Sequence, residues 1–257
     1  MEILSPVLEV INSLKWWQWA LAALAALISG ISKAGLKGIA VLVVSIFALV
    51  FGGKPSTGIL LPLLMVADIV AVRYYHRHAQ KEYLWKLLPW MFAGILLGVW
   101  LGKDLPEEIF KQGMAIIILI SLGVMYWFDR KKESAVPQHW SFAGVMGVIA
   151  GFATMVGNLA GAFSAIYFLA MRLPKNHFIG TTAWLFLITN FFKAPFHIFV
   201  WHTITWDTLK FNMVLFPMTF LGFYLGVSLI RRIKDQHYRK IILLLTALAA
   251  CLILFRS

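Results

Sequence analysis

Apolar residues in this chain come in long runs and polar residues in short bursts. The apolar runs fall at about 16–32, 36–53, 55–72, 87–102, 111–128, 140–157, 159–171, 178–201, 208–230 and 240–255. A helix needs about 20 apolar residues to span a hydrocarbon layer roughly 30 Å thick, so most of these runs predict single transmembrane helices. Several are short. Segments 16–32 and 36–53 are joined only by a lysine-bearing stretch, and 140–157 and 159–171 only by G-N-L. Backbone that leaves helical geometry at membrane depth persists only where protein or a wet cavity surrounds it. The two pairs, 16–53 and 140–171, therefore read as broken helices or hairpins. The pattern as a whole predicts an all-α integral membrane protein of about ten segments.

The polar bursts orient these segments. Connections 73–86, 129–134, 172–175 and 231–240 are rich in Lys and Arg; 103–111 holds Asp104, Glu107 and Glu108, and 202–207 has no Lys or Arg. Basic and non-basic loops alternate strictly, and cytoplasmic loops collect the positive charge. This places the basic set inside and both termini on the external, periplasmic side. The organisation that follows is an external segment 1–15, a first transmembrane repeat 16–128, a cytoplasmic linker 129–139 and a second transmembrane repeat 140–257.

Composition agrees. The 257 residues are 61% hydrophobic and 13% charged, with mean hydropathy +0.81, against apolar usage near half in soluble proteins. A net charge of +12 in a soluble chain would suggest nucleic acid; confined to alternate loops, it is a topology signal. The start of the chain carries Glu2 and Glu9 and lacks the basic region of a signal peptide, so the first apolar segment is read as structure. The single Cys251 allows neither a disulfide framework nor a thiolate metal cluster.

The halves resemble one another. I-S-G-I-S-K-A-G (28–35) matches I-A-G-F-A-T-M-V-G (149–157), Gly58 matches Gly180, and Asp68 stands opposite Asn190 at the same offset from those glycines. After a short insertion, G-I-L-L-G-V (94–99) matches G-F-Y-L-G-V (222–227). Five segments per half is an odd number, so the second half must enter the membrane from the opposite side. Such inverted five-segment repeats are the architecture of secondary transporters, whose sites lie near the midplane where broken helices of the two halves meet. Gly94, Gly98 and Gly102, like Gly222 and Gly226, make smooth helix faces and are read as packing.

Inside the apolar runs and joints the ionisable residues are Lys33, Lys37, Asp68, Lys193 and His197. Each charge at the bilayer centre costs about 2.5–3.5 kcal/mol on insertion scales, so these groups should face a cavity or each other. Three cations against one carboxylate favour an anionic ligand. Gly35 and Gly38 allow the backbone to break around Lys37, and the freed amides of the next helix would add positive potential. In the second half, Gly157, Asn158 and Gly161 mark the equivalent break, with neutral hydrogen bonds in place of charge. The alternative for Lys33 and Lys37 is a cytoplasmic-interface position with both side chains reaching headgroups. Lys193, one turn after Asn190, either joins the site or forms an ion pair with Asp68. Asp68 in turn either releases Lys193 when an anion binds or carries a proton for coupling. His197 reads first as a member of an aromatic cluster, and Trp16, Trp17, Trp19, Trp201 and Trp206 as an outer interfacial belt.

The first hairpin G-I-S-K-A-G-L-K-G, its second-half counterpart G-F-A-T-M-V-G-N-L-A-G-A and the later G-T-T-A-W-L-F-L-I-T-N-F-F-K-A-P together resemble the sulfite exporter TauE/SafE family of membrane permeases, over about 20–255. The resemblance implies movement of sulfite or of an organosulfur anion such as sulfoacetate. The family's features fall on Gly30, Ser32, Lys33, Gly35, Lys37 and Gly38, on Gly151, Gly157, Asn158 and Gly161, and on Asn190, Lys193 and Pro195. Many members carry a denser glycine run in the first hairpin than this chain does. The implied partners are a small anion and the lipid bilayer of a bacterial inner membrane, with no nucleic acid, no cofactor and no metal; homo-oligomer formation stays open. The rivals are a carrier of sulfate or thiosulfate, a membrane-embedded enzyme, or a scaffold. The enzyme lacks any recurring catalytic spacing of His, Asp or Glu, and the scaffold has no need of lysines within apolar helices.

Overall fold

The computed structural model describes residues 14–36, 39–130, 140–171 and 173–233, and the regular elements among them are helical. They are α1 (Trp16–Ala34), α2 (Ala40–Phe51), α3 (Lys54–Tyr75), α4 (Lys81–Gly102), α5 (Glu107–Arg130), α6 (Trp140–Gly157), α7 (Ala160–Ala170), α8 (Lys175–Phe199) and α9 (Trp206–Arg231), with a 3₁₀ turn at His76–His78. Lys37, Gly38, Cys251, the linker 131–139 and the expected segments 1–13 and 240–255 lie outside the described residues.

Among the described helices, four are long and apolar enough to cross a membrane: α3 with the turn that follows it, α4, α6 and α9. The two predicted broken pairs are present, and their second members are short, α2 lying inside its apolar run and α7 nearly filling its own. At 1.5 Å per residue, α2 and α7 rise only about 18 and 16 Å, well short of a bilayer core of about 30 Å. Local chemistry sets these limits. Helix α1 ends at Gly35, whose φ of +143° lies where side chains rarely go, and α2 ends at Gly52 with φ +88°. The backbone amide of Gly53 and that of Lys54 at 3.2 Å both donate to the Glu107 carboxylate, so an acidic side chain caps α3 in place of the absent local cap.

The long helices pack reciprocally between the halves. The first helix of each half, α1 or α6, lies against the fourth helix of the other, α9 or α4, and α3 lies against α8. Glycines allow the approach. A Cβ on Gly30 would stand 2.1 Å from the Thr219 carbonyl and one on Gly222 2.0 Å from that of Leu27; on Gly94 and Gly151 it would stand 2.1 and 2.0 Å from the carbonyls of Val148 and Met91. The middle helices do the same. Gly58 meets Thr203 in the turn after α8, and Gly180 meets Tyr75 and His78 in the turn after α3.

Trp16, Trp17 and Trp206 are exposed, as an interfacial belt requires, together with lipid-suited residues such as Trp100, Phe199 and Leu221. Trp201 departs from the expected belt. It is buried edge-on against Phe110 and His197 and covers Gly102, because the turn 200–205 folds back over the N-terminal end of α3.

Candidate functional site

Two breaks meet a pair of long helices here. Lys33 sits in the last turn of α1, directly before the break at Gly35, and is 7% exposed. The interface alternative for this lysine is therefore overturned. Its ammonium lies 2.6 Å from Asp68 Oδ1 and 4.5 Å from the centre of the Phe186 ring. Asp68, in the middle of α3, is fully buried and accepts a second hydrogen bond, 2.6 Å, from the Asn190 side-chain amide of α8. A buried carboxylate is retained only when both paired and hydrogen-bonded, and Asp68 meets both conditions.

Of the two alternatives for Lys193, the ion pair with Asp68 is not the one formed: Lys33 holds that carboxylate. Lys193, fully buried one turn beyond Asn190, donates to the Thr154 carbonyl at 2.9 Å, to Thr154 Oγ1 at 3.0 Å and to Asn158 Oδ1 at 2.5 Å. The reason is positional: Asn190 faces Asp68, and the next turn of α8 faces α6 instead. Thr154 is the member of this group that the sequence reading did not single out. A hydroxyl one turn before the Asn158 break, in an otherwise apolar helix, is the signal that marks it.

Asn158 has φ +56°, the left-handed conformation that asparagine tolerates better than most residues. Its backbone amide bonds the Thr154 carbonyl at 3.0 Å, an asparagine-closed helix end. The side chain spans the two halves, donating to the Thr57 carbonyl of α3 at 3.0 Å while accepting from Lys193.

These groups surround a cavity of about 30 Å³, above the roughly 10–15 Å³ that one water requires. Lys33, Asn158, Asn190, Gly161 and Thr154 line it with Ser29, Ser32, Phe186 and apolar residues of α2 and α3. Ala40 and Gly161, in the first turns of α2 and α7, also border it, and neither helix start has a side-chain cap, the capping positions being Ile39 and Leu159.

Gly35 and Gly157 are not among the lining residues. Gly35 packs under Ile230 and Ile179, and Gly157 against Leu159 and Met114; their contribution is to break the helices. Lys37 and Gly38 fall outside the described residues. His197 is fully buried, with Nδ1 2.8 Å from Thr203 Oγ1 and its ring edge-on to Trp201, in the aromatic cluster expected for it.

A model of the family described as Sulfite exporter TauE/SafE matches residues 20–253. No curated protein and no solved structure matches the chain.

Proposed function

This chain belongs to the sulfite exporter TauE/SafE family, and from that premise we propose that it is a secondary transporter. It binds a small anion, sulfite or an organosulfur anion such as sulfoacetate, between its two halves and carries it by alternating access. One observation carries the reading. Among the described residues, Lys33 lines the cavity and Lys193 and Asp68 are buried behind its lining, two lysines against one carboxylate, an excess of positive charge where each ion is expensive to hold.

The roles follow from position. Lys33 lines the cavity and contacts the anion directly. Lys193 stands behind Thr154 and Asn158 and supplies positive potential through them. The uncapped amides at the starts of α2 and α7 add hydrogen-bond donors, which suit an oxyanion as helix N-termini do generally. Lys37, with Gly38, belongs to the same site in this reading. Asn190 holds Asp68 in place.

The two-repeat organisation, 16–128 and 140–257, is supported by the reciprocal glycine contacts and by the register of the charges. In the alignment of 28–35 with 149–157, Lys33 corresponds to Thr154. Lys33 meets α3 of its own half through Asp68, and Thr154 meets α8 of its own half through Lys193. In each half a lysine joins these two helices, carried by α1 in the first and, one turn past the position equivalent to Asp68, by α8 in the second. Two halves of opposite orientation that close alternately around such a contact give inward and outward access to one site. The proposed setting is a bacterial inner membrane, with both termini external.

Flux of sulfite into liposomes containing the purified protein, with sulfate, thiosulfate and sulfoacetate as competitors, tests the reading. Saturable flux is expected, with half-saturation raised about tenfold or more in Lys37→Met, the order expected when a hydrogen bond to a charged group is lost, and raised less in Lys193→Met, whose charge reaches the anion through Thr154 and Asn158. Flux of none of these anions sinks the substrate assignment, and flux indifferent to both changes removes the lysines from the path.

A further inference from the structure

The Lys33–Asp68 pair is a competition as much as a contact. Its ammonium lines the cavity and its carboxylate does not. An anion arriving from the cavity meets Lys33 with its charge already taken up, at 2.6 Å, by Asp68. It can be held strongly only if Asp68 lets go. We propose that Asp68 is the site of a co-transported proton: the anion displaces the carboxylate from Lys33, and the displaced carboxylate accepts one proton, which leaves it when the anion leaves and Lys33 returns. This inference rests on the anion reading of the cavity.

Like-charge contact carries the argument. An anion held at Lys33 stands close to the fully buried carboxylate that it has displaced. Taking up one proton on Asp68 removes that repulsion, for a monoanion and a dianion alike. The hydrogen-bond chemistry accommodates both states. Asn190 donates its amide N–H to Asp68 Oδ2 at 2.6 Å; on turning over, the same side chain offers its oxygen to the O–H of the protonated acid. An amide beside a titrating carboxylate serves either form, where a second cation would hold it ionised.

Among the described residues, Asp68 is the carboxylate paired with a cavity-lining cation. Lys33 faces it from α1; Lys193 of α8, turned towards α6, acts on it at longer range, with His197 a turn further along α8. Helices α2 and α6 contain no ionisable side chain. Helix α9 has Asp207, Lys210 and Arg231 near its ends, α5 has Glu107, Glu108 and Lys111 in its first turns, and His76 and His78 follow the inner end of α3.

The test uses the full chain in liposomes with membrane potential clamped. The anions are thiosulfate and sulfoacetate, whose charges do not change near neutral pH, alongside sulfite. Wild-type protein is expected to accumulate anion against its gradient when the side of entry is made acidic, and to move protons inward with it. In Asp68→Asn, counterflow of labelled anion at equal pH continues at an altered rate, accumulation falls to that of protein-free vesicles, and the pH dependence of counterflow is lost. Asp68→Glu, which keeps a titrating group, retains accumulation with a displaced pH profile. Wild-type counterflow without any response to the pH gradient overturns the proton and leaves the anion reading standing, and it does so even if Asp68→Asn does not fold. Accumulation that survives Asp68→Asn moves the proton to another group and also overturns the proposal. Absence of any anion movement in wild type removes both readings together.

Discussion

At the residue scale, the buried charges do not have interchangeable costs. Removing Lys33 alone takes from Asp68 the ammonium that stands 2.6 Å away, and breaking a buried pair in this way costs about 3–5 kcal/mol. Lys33→Met is therefore expected to lower the melting temperature in detergent markedly, and Lys33→Met with Asp68→Asn to recover most of the loss. A double variant no more stable than the single one would show that the pair contributes little. Asn158 separates backbone from side chain. Asn158→Gly keeps access to φ +56° and removes the amide between Thr57 and Lys193. It should hold its stability to within about 1 kcal/mol while weakening anion affinity, whereas Asn158→Ala adds backbone strain and melts lower. Affinity from flux saturation and stability from thermal unfolding read the two effects separately. The identity of both residues was legible in the sequence, since an ionisable or left-handed residue inside an apolar run demands an explanation. Their partners were not. The repeat offered Lys193 as a partner for Asp68, and only the rotation of α8 assigns Asn190 to Asp68 and Lys193 to Thr154 and Asn158.

At the scale of elements, small residues at crossings decide the packing. Lipid tails are as apolar as leucine, so helices in a membrane associate through close van der Waals contact rather than through expulsion of water. Gly151 and Gly222 have backbone carbonyls at 2.0 Å from where a Cβ would stand; Gly113 and Gly123 have nothing within 4 Å. Gly151→Ala and Gly222→Ala are expected to destabilise by more than 1 kcal/mol, as overpacked cores do. Gly113→Ala and Gly123→Ala are expected to be neutral, or to stabilise by up to about 1 kcal/mol through helix propensity. Equal melting temperatures across the four variants would show that the crossings tolerate separation. The glycine spacing announced these faces, and the short run 159–171 announced a short α7. The bounds of α2 were less legible: its apolar run 36–53 continues past the helix ends, and hydropathy does not register where hydrogen bonding stops.

At the scale of the molecule, the alternating loop charges make a topology that labelling can check. Arg77→Cys, in the basic 3₁₀ turn, and His202→Cys, in the turn after α8, are expected to react with an impermeant thiol reagent from opposite faces, in a background carrying Cys251→Ser. Arg77→Cys should be labelled only from the cytoplasmic face, and His202→Cys only from the outer one. Labelling from one and the same face would break the inverted arrangement on which a shared, alternately opened site depends.

Sequence alone determined the class of the protein, its division into apolar segments and the few residues that had to be functional or paired. Membrane insertion is governed by composition over windows of about twenty residues, and a charge within such a window is costly wherever it points. The tertiary structure alone decided which lysine neutralises Asp68, that Thr154 belongs to the group, that Trp201 turns inward, and that two uncapped helix starts border one cavity. Those outcomes depend on helix rotation and on contacts between residues more than thirty positions apart. Interactions at that range are fixed by the packing of whole helices, and a local pattern of residues does not record them.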